Sequence, residues 1–486
     1  MKPWLAERAS STPTHPALQH GPNRLDYAAL AEQSACRAEE LARLGIGDGD
    51  RIAFSTAGNG ATDALQTALL IHALMWRGAV LVPLAPSSTA SRIRERLQRL
   101  GVRELTVDEM ERIARADLDQ AIEPGRLEPD SMLTLMFTSG SEGEPMAVPL
   151  TLRQHRASIA AITDRLALDG KDRWLCCLPL DHIAGLAILL RAVATGACVT
   201  LHDRFNATAV AAAVDNEGIT RLSLVPTMLI DLLACHPEPF QSALKSVLVG
   251  GAPTEAELLQ RARARGLPVL PTWGMTEAGS QLATPEPARA ATVDFIRSPN
   301  WVGRPLSGVE VRVADDGRLQ VRGPMLFSGA LDDSSRGPDT DGWYTTGDRG
   351  RIDADGELTI TGRAGRALIS GGINVNLDAV ERRLLAAMRD IHPVREVALI
   401  AVVDARWGQR IVAAVVAAGN RNNVDKGNDA GCDSLATLQD WARRNLDPAE
   451  RPARWHRLAQ LPRTSTGKID YPQLTRQLDA AATDEA

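Results

Sequence analysis

From residue 27 to residue 270, short apolar runs bounded by Gly or Pro alternate with segments of helical spacing, and few folds tolerate that alternation. Tyr27 to Leu44 carries apolar side chains at the helical period, Arg51 to Ser55 is a short apolar run, and Ala61 to Trp76 returns to the helical period. Gly78 to Pro83 (GAVLVP) is apolar throughout, as a strand covered on both faces of a parallel sheet must be. The alternation recurs from Arg153 to Leu270, with LCCLPL, ACVTLH, RLSLVP and SVLVGG as strand candidates. The expectation is an α/β fold, an open sheet with helices on its faces.

Between Gly303 and Thr361 the pattern shortens. VEVRVAD, GRLQVRG and ELTITG alternate with period two and are separated by DDG and ADG turns, which predicts antiparallel hairpins and a small β-rich subdomain at about 303–361. After Gly362 an α+β pattern begins. ALIS, VREVALIAVVD and RIVAAVVAAG read as strands, and Leu377 to Met388 and Ser434 to Asn445 as helices. GNRNNVDKGNDAGCDS, polar and rich in Gly and Asn, reads as a mobile surface loop. At 486 residues the chain is too long for one core. The expected division is a large N-terminal α/β domain over 1–362 and a small mobile C-terminal domain over 363–486.

Composition narrows the partners. The net charge is −6 and the 54 basic residues form no long run, so no nucleic-acid footprint is visible and a phosphate-bearing ligand must be held by local groups. Six cysteines show neither a CxxC pair nor a Cys/His metal spacing, and read as thiols in a reducing compartment. The first residues lack a signal-peptide core, and no run reaches the roughly 18 apolar residues of a membrane span. No membrane insertion and a cytoplasmic location are expected; a homodimer is left open.

Four segments carry candidate chemistry. An apolar strand enters Thr138-Ser139-Gly140-Ser141-Glu142-Gly143, where backbone N–H groups and hydroxyls can face phosphate oxygens, although no Lys follows at P-loop spacing. Trp273-Gly274-Met275-Thr276-Glu277 sets an aromatic face suited to a base beside a hydroxyl and a carboxylate suited to phosphate and magnesium. Asp348, in YTTGD, suits two ribose hydroxyls, and Arg363 follows fifteen residues later. Lys468, in PRTSTGKID, has a compact charge that can reach a carboxylate and a phosphate together. Taken singly, a Gly/Ser turn, a buried Trp, a surface Asp–Arg pair and a solvated Lys explain them equally well.

In this order and at these separations the segments resemble the adenylate-forming superfamily of acyl-CoA ligases, luciferases and peptide-synthetase adenylation domains. The resemblance extends through WRGAVLVPL, LPLDHIAG, VGGAP and GRAGRALISGGINVNLDAVE and covers nearly the whole chain. It implies activation of a small-molecule carboxylic acid with ATP and Mg2+ through an acyl-adenylate, then transfer to coenzyme A. It further implies that Thr138, Ser139, Gly140, Ser141 and Gly143 form the phosphate loop, and that Gly251, Ala252 and Pro253 form the base loop, with Trp273 at the position where an aromatic usually stacks on adenine and Gly274 next to it. Thr276 would contact the α-phosphate, Glu277 the metal, Asp348 the ribose, and Arg363 ribose or phosphate. Lys468 would bridge the carboxylate and the α-phosphate, where a cation at about 4 Å contributes on the order of 4 kcal/mol at an effective dielectric of 20.

Three positions depart from the superfamily pattern. Glu142 stands where Thr is usual, Met146 where Lys is usual, and Gly365 at a pivot that normally carries Asp, where glycine still permits rotation of the C-terminal domain. Among subfamilies the chain most resembles the o-succinylbenzoate–CoA ligases of menaquinone biosynthesis. That implies His182 and Gly185 flanking the acyl site, Gly279, Ser280 and Gln281 on its floor, and Arg191 either recognising a second carboxylate or capping a helix. An aryl- or medium-chain ligase, a ligase loading a carrier protein, and a non-catalytic nucleotide binder remain as alternatives.

Overall fold

The computed structural model describes residues 2–56, 63–84, 89–116, 121–138, 146–333, 335–363, 366–370, 373–390, 394–404, 408–417, 430–464 and 467–483. Among them the largest sheet runs in the order Val269–Pro271, Ser246–Val249, Arg221–Leu224, Arg173–Cys176, Cys198–Leu201, Pro16–His20, Asn23–Asp26. Its neighbours are parallel except for the last pair, an antiparallel hairpin. A second sheet runs Val102–Glu104, Arg51–Ser55, Val80–Leu84, Met132–Thr138, Met146–Thr151. It too is parallel until its final hairpin, whose connection contains the expected phosphate loop.

Buried strands must alternate their faces, and the cores show it. Ile52, Phe54 and Leu81 face a helix layer shared by both sheets, while Ala53, Val80 and Val82 face the other way, toward Leu97. In the first sheet Trp174 and Cys176 join the shared core, and Leu175 and Cys177 an outer core with Val210, Leu229 and Leu258. The shared layer contains the helices Tyr27–Arg43, Ala64–Arg77, Leu152–Leu166 and Ile183–Thr195. This is the expected α/β arrangement, doubled. Burial pushes the Cys176 thiol up to about 12, an inert core thiol.

The order of the first sheet decides where a ligand can sit. From Arg173–Cys176 the chain passes to its neighbour Cys198–Leu201, then crosses to Arg221–Leu224 on the opposite side. Strand order reverses there, and the loops leaving the carboxyl ends on either side diverge into a crevice. The LPLDHIAG segment, whose strand ends at Cys176 rather than running on through LPL, leaves one such end; Val225, Gly250 and Thr272 leave the others.

A third, antiparallel sheet follows, in the order Trp301–Gly303, Leu358–Arg363, Tyr344–Ile352, Arg318–Arg322, Glu310–Val313. The C-terminal part is a separate α+β unit built on Val394–Asp404 paired with Gly408–Ala417, extended by Ala367–Ser370 with Ile373–Asn376 on one side and Arg454–Leu458. Val397, Leu399, Ile411 and Ala413 face the helices Leu377–Asp390 and Ala430–Asn445. Ala398, Ile400, Val412 and Ala414 face the last helix, Tyr471–Thr483. The last of the two middle helices starts at Ala430, so the end of the expected polar loop is helical; the rest of that loop lies outside the described residues.

Candidate active site

The crevice gathers most of the expected residues that the structure describes. The chain after Cys176 turns back so that His182 becomes the N-terminal cap position of the helix Ile183–Thr195. Gly185 lies so close to this turn that a Cβ there would overlap the carbonyl oxygens of Pro179 and Leu178, so only glycine admits the packing. Asp181 is buried and accepts from Thr56 Oγ1 at 3.2 Å, and its Oδ2 stands 3.4 Å from His182 Nε2. Desolvation in the cleft holds the His182 imidazole below its ordinary value; Asp181 opposes this and Lys468 reinforces it.

Lys468, 286 positions away in the chain, is thus close enough to act on His182 electrostatically. A Cβ placed on Gly251 would stand 3.4 Å from Lys468 Cε and 3.7 Å from its Nζ, and one on Gly467 would stand 3.4 Å from Thr227 Oγ1. The hairpin carrying Lys468, closed by Thr464 N donating to Lys468 O at 2.8 Å and by a bridge between Arg463 and Ile469, therefore brings the Lys468 side chain beside Gly251 of the expected base loop, Gly251-Ala252-Pro253. The side chain is exposed, as a cation offered to a ligand must be.

Trp273 and Asp348, 75 positions apart, are joined: the indole Nε1 donates to Asp348 Oδ2 at 2.8 Å. The ring itself is buried, so its edge is committed to holding the carboxylate. Gly274, next in line, admits no side chain, because a Cβ there would overlap the Ser280 carbonyl oxygen across the hairpin of Trp273–Met275 with Ser280–Ala283. Thr276 and Glu277 form a short 3-10 turn ended by Gly279 at φ 64°. Glu277 receives the Tyr344 hydroxyl at 3.5 Å and remains partly exposed. Ser280 then adopts φ 137°, a region that L residues avoid, and such strain concentrates at sites that bind.

Arg191 projects from the middle of its helix into the shared core and caps nothing. Only 1% of its surface is exposed. One terminal nitrogen donates to Gln281 Oε1, the guanidinium lies 5.8 Å from the Trp174 ring centroid, and Nε has no partner. Among the described residues no carboxylate pairs with it, and burial pushes its pKa down to about 9. Around it, His155 is buried against Thr134 Oγ1 at 2.9 Å and pushed to about 4 by desolvation and by Arg191, so it stays neutral. Ser158 donates to Gly279 O at 3.3 Å.

Two expectations lie partly outside the described residues. Ser139, Gly140, Ser141, Glu142, Gly143 and Gly365 are not among them, and of Thr138 and Arg363 only the backbone is described. Thr138 pairs with Met146 across its hairpin, and Asp348 pairs with Arg363 across another. Met146 is buried in the shared core, where an ammonium would be costly, so the position offers packing and no charge. Sequence reasoning gave no role to Asp181, Thr56, Trp174, Tyr344 or His155. A signal existed for Asp181, a carboxylate inside an otherwise apolar turn; His155 and Trp174 look like ordinary core residues until the fold places them beside Arg191.

Among the described residues no cluster of three or more His, Cys, Asp or Glu side chains is placed to hold a metal. Glu277 by itself fits Mg2+ of the kind that keeps water and phosphate oxygens as its other ligands. No described helix is long and apolar enough to cross a membrane.

Comparison with known proteins follows this geometry. The family described as AMP-binding enzyme matches residues 5–331, and the AMP-binding enzyme C-terminal domain matches residues 386–468. A 2-succinylbenzoate–CoA ligase of Listeria monocytogenes is 30% identical over 487 residues, covering 98% of this chain and 99% of the relative. The o-succinylbenzoate CoA synthetase of Bacillus subtilis in complex with the acyl-adenylate intermediate OSB-AMP is 29% identical, with a TM-score of 0.83 over 98% of both chains. The same enzyme in complex with ATP and magnesium ion gives 0.82 at 28% identity, over 98% of this chain and 99% of that one. The likeness spans both the crevice and the C-terminal segment that carries Lys468, and the chain belongs to the AMP-binding enzymes, the adenylate-forming superfamily.

Proposed function

We propose that this protein is an AMP-forming acid–thiol ligase that converts 2-succinylbenzoate, ATP and coenzyme A to the succinylbenzoyl thioester, AMP and pyrophosphate. The observation that carries the substrate is Arg191. A buried guanidinium with an unpartnered Nε is costly unless a ligand supplies an anion, and an aromatic acid with a second carboxylate supplies one after its reacting carboxylate is engaged elsewhere. The Gly279-Ser280-Gln281 floor carries the Arg191 contact through Gln281, and His182 and Gly185 line the opening of the same helix.

In the first half-reaction a carboxylate oxygen attacks the α-phosphorus and pyrophosphate leaves. Both reactants are anions, so the Lys468 ammonium beside Gly251 lowers the barrier by lying where their charges meet. In this reading Thr276 holds the α-phosphate, Thr138, Ser139, Gly140, Ser141 and Gly143 the outer phosphates, Gly251, Ala252 and Pro253 the base, Asp348, braced by Trp273, the ribose, and Arg363 ribose or phosphate. Glu277 would hold Mg2+, which would supply charge neutralisation to the phosphates. In the second half-reaction, after the C-terminal domain has rotated near Gly365 and withdrawn Lys468, the CoA sulfur attacks the acyl carbonyl; the new C–S bond replaces the acyl C–O bond to AMP, AMP leaves, and the thiol proton passes to solvent. A cytoplasmic location, where ATP and CoA are present, accompanies this reading.

Pyrophosphate exchange with a panel of acids, followed by mass detection of the CoA thioester, tests it. Exchange and thioester should be strongest with 2-succinylbenzoate. Exchange confined to acids with a single carboxylate, or absent with every acid despite ATP binding, would overturn the proposal.

A further inference from the structure

The segment that leaves Gly365 and the segment that carries Lys468 are tied by a buried polar cluster. Arg366, the first residue after the undescribed pair 364–365, donates to Glu381 at 2.8 and 2.6 Å and to Leu399 O at 2.9 Å, and lies 2.7 Å from Asp378. Its guanidinium stacks on the Tyr471 ring, 3.7 Å from the centroid. The Tyr471 hydroxyl donates to Glu381 Oε2 at 3.1 Å, and Leu399 N donates to the other oxygen of the same carboxylate. Glu381 is buried and both its carboxylate oxygens accept hydrogen bonds within the cluster.

Tyr471 lies three residues beyond Lys468 and opens the last helix. The helix's own core anchors, Leu474 and Leu478, are farther from the lysine, and Ile469 is only half-buried. In the first turn Leu474 anchors the apolar side, Asp470 accepts from Gln473 N at 2.9 Å, and Tyr471 fixes the polar side through its contacts with Glu381 and Arg366.

We infer that Arg366, Glu381 and Tyr471 are positioning residues, a polar clamp that fixes the Lys468 hairpin to the strand leaving the pivot so that rotation at residue 365 delivers the ammonium to one place. Arg366 is bound to the strand Val394–Asp404 through Leu399 and to the helix Leu377–Asp390 through Glu381, and Tyr471 passes that orientation to the hairpin. The clamp touches no reactant. Its loss misplaces a cation, and a displacement of about 1 Å costs on the order of 100-fold in rate. This inference rests on the reading of Lys468 as the first-step cation.

Two half-reactions separate it from a purely structural role. Tyr471→Phe keeps the stacked ring and deletes one hydroxyl; Glu381→Gln keeps the volume and weakens the guanidinium bonds. In each variant kcat for acid-dependent pyrophosphate release should fall on the order of 10- to 100-fold with KM for ATP nearly unchanged. Thioester formation from supplied acyl-adenylate and CoA, which needs no lysine at the α-phosphate, should stay within about twofold of the parent enzyme. Equal losses in both half-reactions, or no loss in either, would overturn the clamp. Lys468→Ala run in parallel separates the two failures: if that variant still adenylates, the assignment of Lys468 fails, whereas if it does not and Tyr471→Phe does, only the clamp fails.

Discussion

Replacing Arg191 with methionine should move stability and activity in opposite directions. The guanidinium is buried at the centre of a helix, with Gln281 and the Trp174 face as its polar contacts and no carboxylate among the described residues. Burial lowers its pKa to about 9 from 12.5, and a gap of that size corresponds to a cost on the order of 5 kcal/mol for keeping it charged at neutral pH. The sign follows from proton binding: below about 9 both states are charged and the penalty is constant, and stability rises only as pH passes about 9 toward 12.5. Methionine removes the charge, fills much of the volume, and leaves Gln281 without its partner, which returns roughly 1–3 kcal/mol of the gain. The ligand-free variant should melt a few degrees higher. A substrate carboxylate at about 4 Å from the lost cation contributed on the order of 4 kcal/mol at a dielectric of 20, close to a thousandfold in kcat/KM. The assay compares 2-succinylbenzoate with 4-oxo-4-phenylbutanoate, the same acid without the ring carboxylate. The parent enzyme should prefer the dicarboxylate by about that factor and the variant should not. A variant that melts lower and keeps the preference would refute the reasoning on both counts.

Lys468→Ala should leave the melting temperature within about a degree, since the side chain is exposed, and cut acid-dependent pyrophosphate release by about a thousandfold. Trp273→Phe keeps the ring but removes the donor to Asp348; a hydrogen bond to a carboxylate contributes roughly 1.5–3 kcal/mol, so KM for ATP should rise about tenfold or more in steady-state kinetics. His72 is buried, its Nδ1 unpartnered, and desolvation pushes it to about 4. The folded chain then binds fewer protons than the unfolded chain between about 6.5 and 4, so stability is lost as pH falls through that window, by up to roughly 3 kcal/mol, and His72→Leu should flatten the loss seen in denaturant titrations. Gly185→Ala forces a Cβ onto the Pro179 carbonyl and should lower both the melting temperature and the rate with acid.

The elements were legible where a local period sufficed. GAVLVP is a strand because a chain buried on both faces has no polar alternation to display, and the hairpins near DDG and ADG declare themselves by turn chemistry. The strand Tyr344–Ile352 was read as a binding motif and not as a strand, because YTTGDRGRI lacks alternation; its burial is intermediate along most of its length. LCCLPL reads as a longer strand than the observed Arg173–Cys176, because the turn chemistry of its single proline, Pro179, is hidden by apolar neighbours.

What residue order offered here was a list of candidate groups for an adenylate: Lys468, Glu277, Thr276, Asp348 and Trp273 stand out because their chemistry and short motifs are visible without coordinates. What only the tertiary structure decided was which of them meet. Trp273 reaching Asp348 across 75 positions, and Arg191 reaching Gln281 across 90, follow from strand order and packing, which no local window contains. Arg191 on an apolar helix could have been a surface cap; a charge held in a core without a carboxylate beside it is a property of depth and neighbours, and those exist only once the sheets have closed over the helix.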